Sequence, residues 1–257
     1  MKIKFDKYES AGNDFVLIDD RRNLYGLTSS IIRDICSRNF GVGSDGLIIL
    51  KNSSIADIKM CYYNSDGKPG TLCGNGTRCL YSFAFRLGII KKTAKIEISG
   101  EIYTAKIKNQ NLVSLKMRNI EDINISENKA FLNSGSPHHI EMIDDLDQIS
   151  VKKTGASIRF SKSYQPYGTN VNFCHKISDK KFEIRTYERG VENETLSCGT
   201  GATATAIAVH AMGLTNQSKM IIQTRGGELT VSFEVSINGY KNIYLEGPTR
   251  FVFKGEY

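Results

Sequence analysis

Two cysteines in the sequence are each followed by a glycine, a polar residue and a second glycine. These segments are Cys73-Gly-Asn-Gly76 and Cys198-Gly-Thr-Gly201, and each is followed by an apolar stretch of helical length. At the start of a helix the backbone N–H groups have no partner within the helix, and together with the helix dipole they stabilise a thiolate. The pattern therefore predicts two acidic thiols, one at each of two helix starts.

Helix starts of this kind also bind carboxylates, and their glycines allow the backbone to approach a ligand closely. An enzyme that presents a thiolate to one face of a carbon atom and a thiol to the other can invert that stereocentre without a redox step. Backbone N–H groups from both helices would stabilise the charge of the planar intermediate. We therefore predict that Cys73 and Cys198 are the acid and base of an amino-acid epimerase.

The remaining cysteines give the alternative to this interpretation. Four of them lie inside predicted helices or strands, where a thiol is expected to pack in the core: Cys36, Cys61, Cys79 and Cys174. Cys73 and Cys198 could likewise be buried residues beside glycines that end or begin a helix. Their occurrence as a pair, with similar residues upstream of each, favours the catalytic interpretation.

Periodicity predicts the elements that position the two thiols. Helices are expected at residues 29–39, 73–87 and 198–212. The two helices that follow the thiols are apolar on every face, which is typical of buried helices. Strands are expected at residues 3–8, 15–18, 47–50, 58–63, 95–99, 102–107, 112–117, 130–132, 140–142, 171–174, 182–187, 219–224, 228–235 and 242–246.

The two halves of the sequence resemble each other at three positions in the same order. Besides the two cysteine segments, Tyr63-Asn-Ser-Asp-Gly67 resembles Tyr187-Glu-Arg-Gly190, and Gly12-Asn-Asp-Phe15 resembles Thr169-Asn-Val-Asn-Phe173. Matched positions in one order indicate a duplicated domain. We predict an α+β fold of two pseudo-symmetric lobes, each a β-sheet wrapped around a central buried helix, with the active site in the cleft between them.

The lobe boundary is expected in the polar segment of residues 120–129. The N-terminal lobe would comprise residues 1–119 and carry Cys73, and the C-terminal lobe would comprise residues 120–249 and carry Cys198. A final strand at residues 250–257 would return to the N-terminal lobe. The segment Gly41-Val-Gly-Ser-Asp-Gly46 has dinucleotide-binding spacing, but it follows a predicted helix and precedes a predicted strand. We interpret it as a loop at the rim of the active site.

Composition and charge exclude several other classes of function. The 257 residues carry a net charge of +7, and the lysines are scattered rather than gathered into a stripe with aromatic residues, which argues against nucleic-acid binding. The N-terminus lacks an apolar signal segment, no apolar run has transmembrane length, and the histidines do not cluster with cysteines at zinc-site spacing. We therefore expect a cytoplasmic protein with thiols rather than disulfides, and no membrane partner.

At several segments the sequence resembles the diaminopimelate epimerase family, nearly from end to end. The resemblance rests on seven segments: Gly12-Asn-Asp-Phe15, Asn64-Ser-Asp-Gly67, Cys73-Gly-Asn-Gly-Thr-Arg-Cys79, Gly135-Ser-Pro-His138, Asn170-Val-Asn-Phe173, Tyr187-Glu-Arg-Gly190 and Cys198-Gly-Thr-Gly201. It implies conversion of LL-2,6-diaminopimelate to the meso isomer, on the route to lysine and peptidoglycan. It also implies catalysis without pyridoxal phosphate or a metal, and pairing of the chain as a homodimer.

The resemblance also implies roles for individual residues. The carboxylate at the reacting centre would be held by four residues of the helix starts: Gly74, Asn75, Gly199 and Thr200. The rest of the substrate, chiefly its distal end, would be held by Asn13, Asn64, Asn170 and Arg189. Glu188 would contact the ammonium group or steady a cysteine, and His138 would tune thiol ionisation. Two positions differ from many members of the family, which have glutamine at Gly46 and asparagine at Ser136.

Alternatives remain for these residues and for the function. The three asparagines could be ordinary turn residues, Glu188 and Arg189 a surface pair, and His138 an exposed turn residue. His139 is interpreted as structural. On the same scaffold the substrate could be proline, hydroxyproline or histidine, although proline-type relatives usually have histidine at the position of Asn75. A protein that keeps the fold for binding alone is the second alternative, and retention of both cysteines argues against it.

Overall fold

The structure is a computed structural model that describes residues 2–70, 72–109 and 111–257. Its strands are β1 (Lys4–Ser10), β2 (Asn13–Asp19), β3 (Gly46–Lys51), β4 (Ile58–Asn64), β5 (Thr93–Ile98), β6 (Glu101–Asn109), β7 (Leu112–Lys116), β8 (Ile123–Ser126), β9 (Lys129–Asn133), β10 (Pro137–Met142), β11 (Asn170–Ser178), β12 (Lys181–Glu188), β13 (Asn193–Thr195), β14 (Lys219–Thr224), β15 (Gly227–Ser236), β16 (Gly239–Pro248) and β17 (Arg250–Glu256). Its helices are α1 (Ser29–Cys36), α2 (Gly74–Arg86), α3 (Val151–Arg159) and α4 (Gly199–Ala211), with a short 3-10 helix at Lys162–Tyr164.

The chain divides into two compact units. The first contains the residues up to Leu115 together with Gly247–Tyr257, and the second contains Lys116–Glu246. In the first unit, β2 pairs with β1 antiparallel, β3 with β2 parallel, β4 with β3 antiparallel, β5 with β4 parallel and β6 with β5 antiparallel. The final strand, β17, pairs antiparallel with β1. Nearly every residue of α2 is buried, and the helix packs against β1, β2, β3, β4 and β6.

The second unit repeats this order of pairings. β10 pairs with β9 antiparallel, β11 with β10 parallel, β12 with β11 antiparallel, β14 with β12 parallel and β15 with β14 antiparallel. Helix α3 precedes β11 as α1 precedes β3, and α4 lies between β12 and β14 as α2 lies between β4 and β5. Helix α4 is also almost wholly buried and packs against β9, β10, β11, β14 and β15. The prediction of an α+β fold with a repeated sheet around a buried helix is confirmed.

The repeat corrects one of the three sequence matches. By pairing order β2 corresponds to β10 and β3 corresponds to β11, so the segment that begins β2 at Asn13 matches the start of β10 at Pro137. The predicted match of Gly12–Phe15 with Thr169–Phe173 is therefore wrong by one strand, because Asn170 begins β11. Both segments begin a strand with an asparagine, but the pairing order fixes which strands correspond.

Three further predictions need correction. Strand β8 was not predicted; it lies within residues 120–129 and pairs antiparallel with β9. The first helix is shorter than predicted: Thr28 caps it, as expected, by accepting from the N–H of Ile31 at 3.3 Å, but it ends at Cys36. There the N–H groups of Val42 and Gly43 donate to the Ile35 carbonyl and turn the chain back. Helix α3 and strand β13 were not predicted.

The loop prediction for the Gly41-containing segment is confirmed, because the chain is irregular after α1 until β3 begins at Gly46. All six cysteines are thiols. Cys36, Cys79 and Cys174 are buried as predicted, while Cys61 is partly buried at the edge of a core cluster. Among the described residues, none of the helices has the length and apolar character needed to span a membrane. That part of the chain also lacks a cluster of three or more histidine, cysteine or acidic side chains suited to a metal ion.

Candidate active site

Cys73 lies at the N-terminus of α2, with its side chain turned back onto the first turn of the helix. It occupies the N-cap position, and its Sγ accepts a hydrogen bond from the N–H of Gly76 at 3.5 Å. The N–H and hydroxyl groups of Thr77 both donate to the Cys73 carbonyl, each at 2.8 Å. A sulfur atom that accepts a helix N–H is held in a position that favours the thiolate.

A chain of amide hydrogen bonds connects this helix start to the neighbouring strand. Asn75 is 2% exposed, and its Nδ2 donates to Oδ1 of Asn13 at 2.6 Å. Asn13 in turn donates to Oδ2 of Asp45 at 3.0 Å. On its other side, Asn75 Oδ1 accepts from Nη2 of Arg78 at 2.5 Å. The structure therefore brings two of the predicted substrate-binding residues, Asn13 and Asn75, into direct contact.

Asn64 lies at the same end of the sheet of the first unit. Asn13 begins β2, Gly46 begins β3 and Asn64 ends β4, and Gly46 is in register with Asn64. Asn64 is exposed, and its backbone forms a tight turn by bonding with Lys68 and Gly67. Asn64 therefore lies at the same end of the sheet as Asn13, and it has the exposure of a turn residue.

The structure explains why Gly46 differs from the glutamine of many family members. A Cβ atom at this position would lie 2.6 Å from Cε2 of Tyr62 and 2.7 Å from the carbonyl oxygen of Tyr63. The Tyr62 ring therefore occupies the space that a longer side chain would need. It also lies against Gly70, where a Cβ would come within 2.4 Å of the ring, and contacts the ring of Phe15 edge-on.

Cys198 lies at the N-terminus of α4, but its surroundings differ from those of Cys73. It is 8% exposed, and its Sγ lies 3.4 Å from the hydroxyl of Thr200 rather than capping the helix. The same hydroxyl lies 2.9 Å from Nε2 of His138. Thr200 therefore links the thiol to a histidine on β10.

His138 is fully buried, so the interpretation as an exposed turn residue is wrong. Asn172 Nδ2 donates to its Nδ1 at 3.0 Å and to the carbonyl of His139 at 3.1 Å. This arrangement places the ring proton on Nε2, which donates to Thr200. Burial lowers the pKa of His138 to about 3, and the charge of Arg189 contributes to the lowering. The imidazole is therefore neutral at physiological pH.

Asn170, Ser136 and Arg189 form a second polar group of the same unit. Asn170 is 3% exposed, and its Nδ2 donates to the Ser136 hydroxyl and to the Pro137 carbonyl, each at 2.9 Å. Its Oδ1 accepts from the backbone N–H of Arg189 at 2.9 Å. The Arg189 guanidinium donates to the Tyr167 carbonyl at 3.1 Å and lies 3.5 Å from the Ser136 hydroxyl. The serine hydroxyl that replaces the common asparagine is thus held by both predicted binding residues.

Glu188 ends β12 immediately before Arg189, and burial raises the pKa of its carboxyl group. The interpretation of Glu188 and Arg189 as a surface ion pair is wrong, because the guanidinium contacts Ser136 and Tyr167 instead. The first helical residues Gly74 and Gly199 are buried at the two helix starts, where the first backbone N–H groups have no partner within the helix itself.

Sequence reasoning missed two polar residues that organise these sites. Asn172 orients His138, and the sign of this in the sequence is its place in the segment Asn170-Val-Asn-Phe173. Arg78 contacts Asn75 from within α2 and is 0% exposed. An arginine within the first half of a helix predicted to be buried was a signal in the sequence, because a charged side chain is rarely buried without a specific reason.

Comparison with known proteins gives consistent results. The sequence profile of the diaminopimelate epimerase family matches residues 5–120 and 130–252. A diaminopimelate epimerase from Flavobacterium psychrophilum is 50% identical over 254 residues, which cover 98% of this chain and 99% of that protein. Among solved structures, a Bacillus anthracis phenazine biosynthesis protein of the PhzF family superposes with a TM-score of 0.78 at 16% identity, covering 100% and 99% of the two chains. A probable proline racemase from Agrobacterium radiobacter, with bound carbonate, superposes with a TM-score of 0.72 at 13% identity and coverages of 99% and 92%. These two structures share the fold.

Proposed function

The chain belongs to the diaminopimelate epimerase family, and we propose that it interconverts LL-2,6-diaminopimelate and meso-diaminopimelate. The reaction would serve the synthesis of lysine and of peptidoglycan precursors. The observation that carries the proposal is the placement of Cys73 and Cys198 at the N-termini of two buried helices in corresponding places of a repeated unit. Sequence identity of 50% to a diaminopimelate epimerase over nearly the whole chain supports the substrate assignment.

In the proposed reaction a thiolate removes the α-proton of the substrate and the other thiol delivers a proton to the opposite face. The C–H electron pair stays on the planar carbanion and is delocalised onto the carboxylate between the two steps. Helix N–H groups at Gly74, Asn75, Gly199 and Thr200 would hold that carboxylate and stabilise its growing charge. Proton transfer by positioned groups contributes about 10²–10⁴-fold, and exclusion of water strengthens each of these interactions. Neither step uses pyridoxal phosphate or a metal.

We assign substrate contacts and tuning roles as follows. Asn13 and Asn64 would contact the substrate from the first unit, and Asn170 and Arg189 from the second. A guanidinium beside buried amides suits a substrate with a second charged end, such as the distal amino-acid group of diaminopimelate. Glu188 would receive the substrate ammonium group, and the neutral His138 would tune Cys198 through Thr200.

The experiment that tests the proposal measures exchange of the substrate α-hydrogen in deuterated water, together with formation of the other isomer. We expect wild-type protein to exchange and epimerise LL-diaminopimelate, and Cys73→Ala and Cys198→Ala to lose epimerisation by at least about 10²-fold. Unchanged exchange in both variants would overturn the mechanism. Inactivity on diaminopimelate with turnover of proline, hydroxyproline or histidine would keep the mechanism and replace the substrate.

We further propose that the protein acts in the cytoplasm as a homodimer, with a small amino-acid substrate as its ligand. The dimer is supported by three consecutive apolar residues of β17: Phe251, Val252 and Phe253 are 40%, 46% and 45% exposed. Because side chains alternate along a strand, these residues leave apolar surface exposed on both faces of β17, and exposed apolar patches mark interaction sites.

A further inference from the structure

Arg78 is a buried cation whose hydrogen-bond partners are neutral. It lies in α2 five residues after Cys73 and is 0% exposed. Its Nη2 donates to the Ser10 hydroxyl at 2.9 Å and to Asn75 Oδ1 at 2.5 Å. Its Nε and Nη1 are buried without a hydrogen-bond partner among the described residues. A guanidinium stays protonated in proteins, so the helix interior holds a positive charge beside incompletely satisfied donors.

A buried charge is costly unless an opposite charge compensates it. Within the described part of the chain, Arg78 forms no ion pair with a carboxylate, and its electrostatic partners are the thiols of Cys79 and Cys73. Cys79 is fully buried, and burial raises its pKa well above the ordinary value, so it stays protonated. Cys73 is partly exposed and accepts the Gly76 N–H. Cys73 is therefore the thiol that can carry the compensating negative charge.

Other titratable groups near this part of α2 do not take that role. Glu9 on β1 interacts with Cys79, but its carboxylate pairs with Arg250 at 3.1 Å. The hydroxyl of Tyr8, also on β1, accepts from Arg86 at 2.9 Å, and burial raises its pKa. Tyr62 on β4 lies against Gly46 and Gly70. Of the groups near this part of α2, Cys73 is therefore the one that can compensate the charge of Arg78.

In α4 the position that corresponds to Arg78 holds a neutral residue. The residue of α4 five positions after Cys198 is Thr203, a neutral residue that is 0% exposed and donates its hydroxyl to the Gly199 carbonyl at 3.0 Å. Cys198 lies beside the Thr200 hydroxyl, which is bound to the neutral imidazole of His138. The charge of Arg189 acts on that imidazole, but its guanidinium bonds Tyr167 and Ser136 outside α4. The two helices therefore differ in charge at this position.

We propose that Arg78 is a positioning residue that makes Cys73 the resting thiolate and leaves Cys198 as the resting thiol. The proposal rests on the proposed two-thiol function and adds a direction to it. In the resting enzyme, Cys73 would be the base that is ready to remove a proton from the substrate. After each such turnover, the buried cation would favour loss of the acquired proton from Cys73 and thereby restore the resting form.

The test is the pH dependence of alkylation by iodoacetamide, read separately for the Cys73 and Cys198 peptides by mass spectrometry. The pH at which alkylation reaches half of its maximal rate, the midpoint, reports ionisation of the thiol. The absolute rate of alkylation also depends on how exposed the sulfur is. In wild-type protein we expect Cys73 to have the lower midpoint. In Arg78→Met the Cys73 midpoint should rise by about one pH unit or more, which slows its alkylation about tenfold near neutral pH, while the Cys198 midpoint stays unchanged.

Two control variants separate charge from structure. Arg78→Lys keeps a positive charge and should restore a lower Cys73 midpoint. Ser10→Ala removes one hydrogen-bond partner of the guanidinium but leaves its charge, so the Cys73 midpoint should stay as in wild-type protein. A purely structural role predicts instead that Ser10→Ala and Arg78→Met act alike.

Several results would overturn the proposal. These are a lower midpoint at Cys198 than at Cys73 in wild-type protein, an unshifted Cys73 midpoint in Arg78→Met, or equal shifts at both cysteines. If Arg78→Met does not fold, the wild-type order of midpoints and the Arg78→Lys variant decide. Because alkylation needs no substrate, failure of the epimerase assignment would appear in the turnover assay and leave this test unaffected.

Discussion

At the scale of single residues, the two thiols occupy matching sequence positions but have different partners. Cys73 accepts a backbone N–H from its own helix, whereas Cys198 lies beside a hydroxyl that is bound to a buried imidazole. The first contact keeps the sulfur at the helix N-terminus. The second couples the sulfur to β10, an element distant in the sequence. The proposed acid and base are therefore tuned by different means.

The buried imidazole leads to a prediction about acid stability. The pKa of His138 is about 3 in the folded protein and about 6.5 in an unfolded chain, so the unfolded state binds the proton first as the pH falls. This difference lowers stability between about pH 6.5 and pH 3, by at most about 1.4 kcal/mol per pH unit. His138→Gln should remove that dependence, so its free energy of unfolding should fall less steeply than that of wild-type protein on acidification.

Urea denaturation at several pH values between 4.5 and 7.5 measures the two slopes. The ring resonances of His138 in wild-type NMR spectra give an independent control, because they should not titrate between pH 5 and 8. A His138 resonance that titrates near pH 6.5, or equal slopes for variant and wild type, would contradict the buried neutral imidazole.

The hydroxyl of Thr200 leads to a second prediction at this scale. Thr200→Val removes the group between His138 and Cys198 while keeping the side-chain shape. We expect kcat/KM for the epimerisation to fall about 10- to 100-fold, the range for loss of a hydrogen bond to a group that carries charge. Thr203→Val is the matched control, because that hydroxyl bonds only within the helix, to the Gly199 carbonyl. Equal activity of the two variants would exclude a role for the Thr200 contact.

At the scale of elements, the two helix starts differ in how closely other elements pack on them. A Cβ atom at Gly201 would lie 2.5 Å from Asn172 Oδ1 and 3.2 Å from the Cβ of Cys198. At Gly76 the nearest atom would be the terminal Cδ1 of Ile48, at 2.9 Å, which can move aside. Close packing therefore requires the second glycine in α4, whereas a side chain at the matching position of α2 would meet only mild crowding.

We therefore predict unequal effects of alanine at these glycines. Gly201→Ala should displace Asn172, which orients His138, and should lower the free energy of unfolding by about 1–3 kcal/mol, with reduced kcat/KM. Gly76→Ala should change stability little, because the higher helix propensity of alanine offsets the crowding. Denaturant unfolding and steady-state kinetics of both variants test this. A Gly76→Ala protein as impaired as Gly201→Ala would show that crowding by neighbouring atoms does not govern these positions.

The helices also show what the sequence could and could not predict. Helices α2 and α4 were predictable because each contains a long uncharged stretch and begins with a glycine-containing segment. Helix α3 was not, since only Val151 and Gly155 are buried and Ser150 forms no side-chain cap. Gly155 lies within the helix because a Cβ there would come within 2.4 Å of Tyr187 Cβ. That requirement comes from the packing of α3 on β12 and leaves no local signal in the sequence.

At the scale of the whole molecule, the repeat was predictable but its exact correspondence was not. The cysteine segments identified the matching helices, since both follow the same local rule. The contacts that orient the site come from tertiary structure: Asn13 with Asn75, and His138 with Thr200 and Asn172. Each joins residues far apart in the sequence, so only the arrangement of the strands brings them together.

The proposed homodimer gives the prediction at this scale. If the exposed apolar residues of β17 lie in the interface, Val252→Asp would bury a charge there and raise the dissociation constant of the dimer at least about tenfold. Val235→Asp is the matched control, because Val235 is 57% exposed on β15 and should tolerate the same change. Sedimentation velocity over a series of protein concentrations measures both variants against wild type. A wild-type protein that stays monomeric at every concentration would exclude the homodimer, and a Val252→Asp protein that dimerises like Val235→Asp would place the interface away from β17.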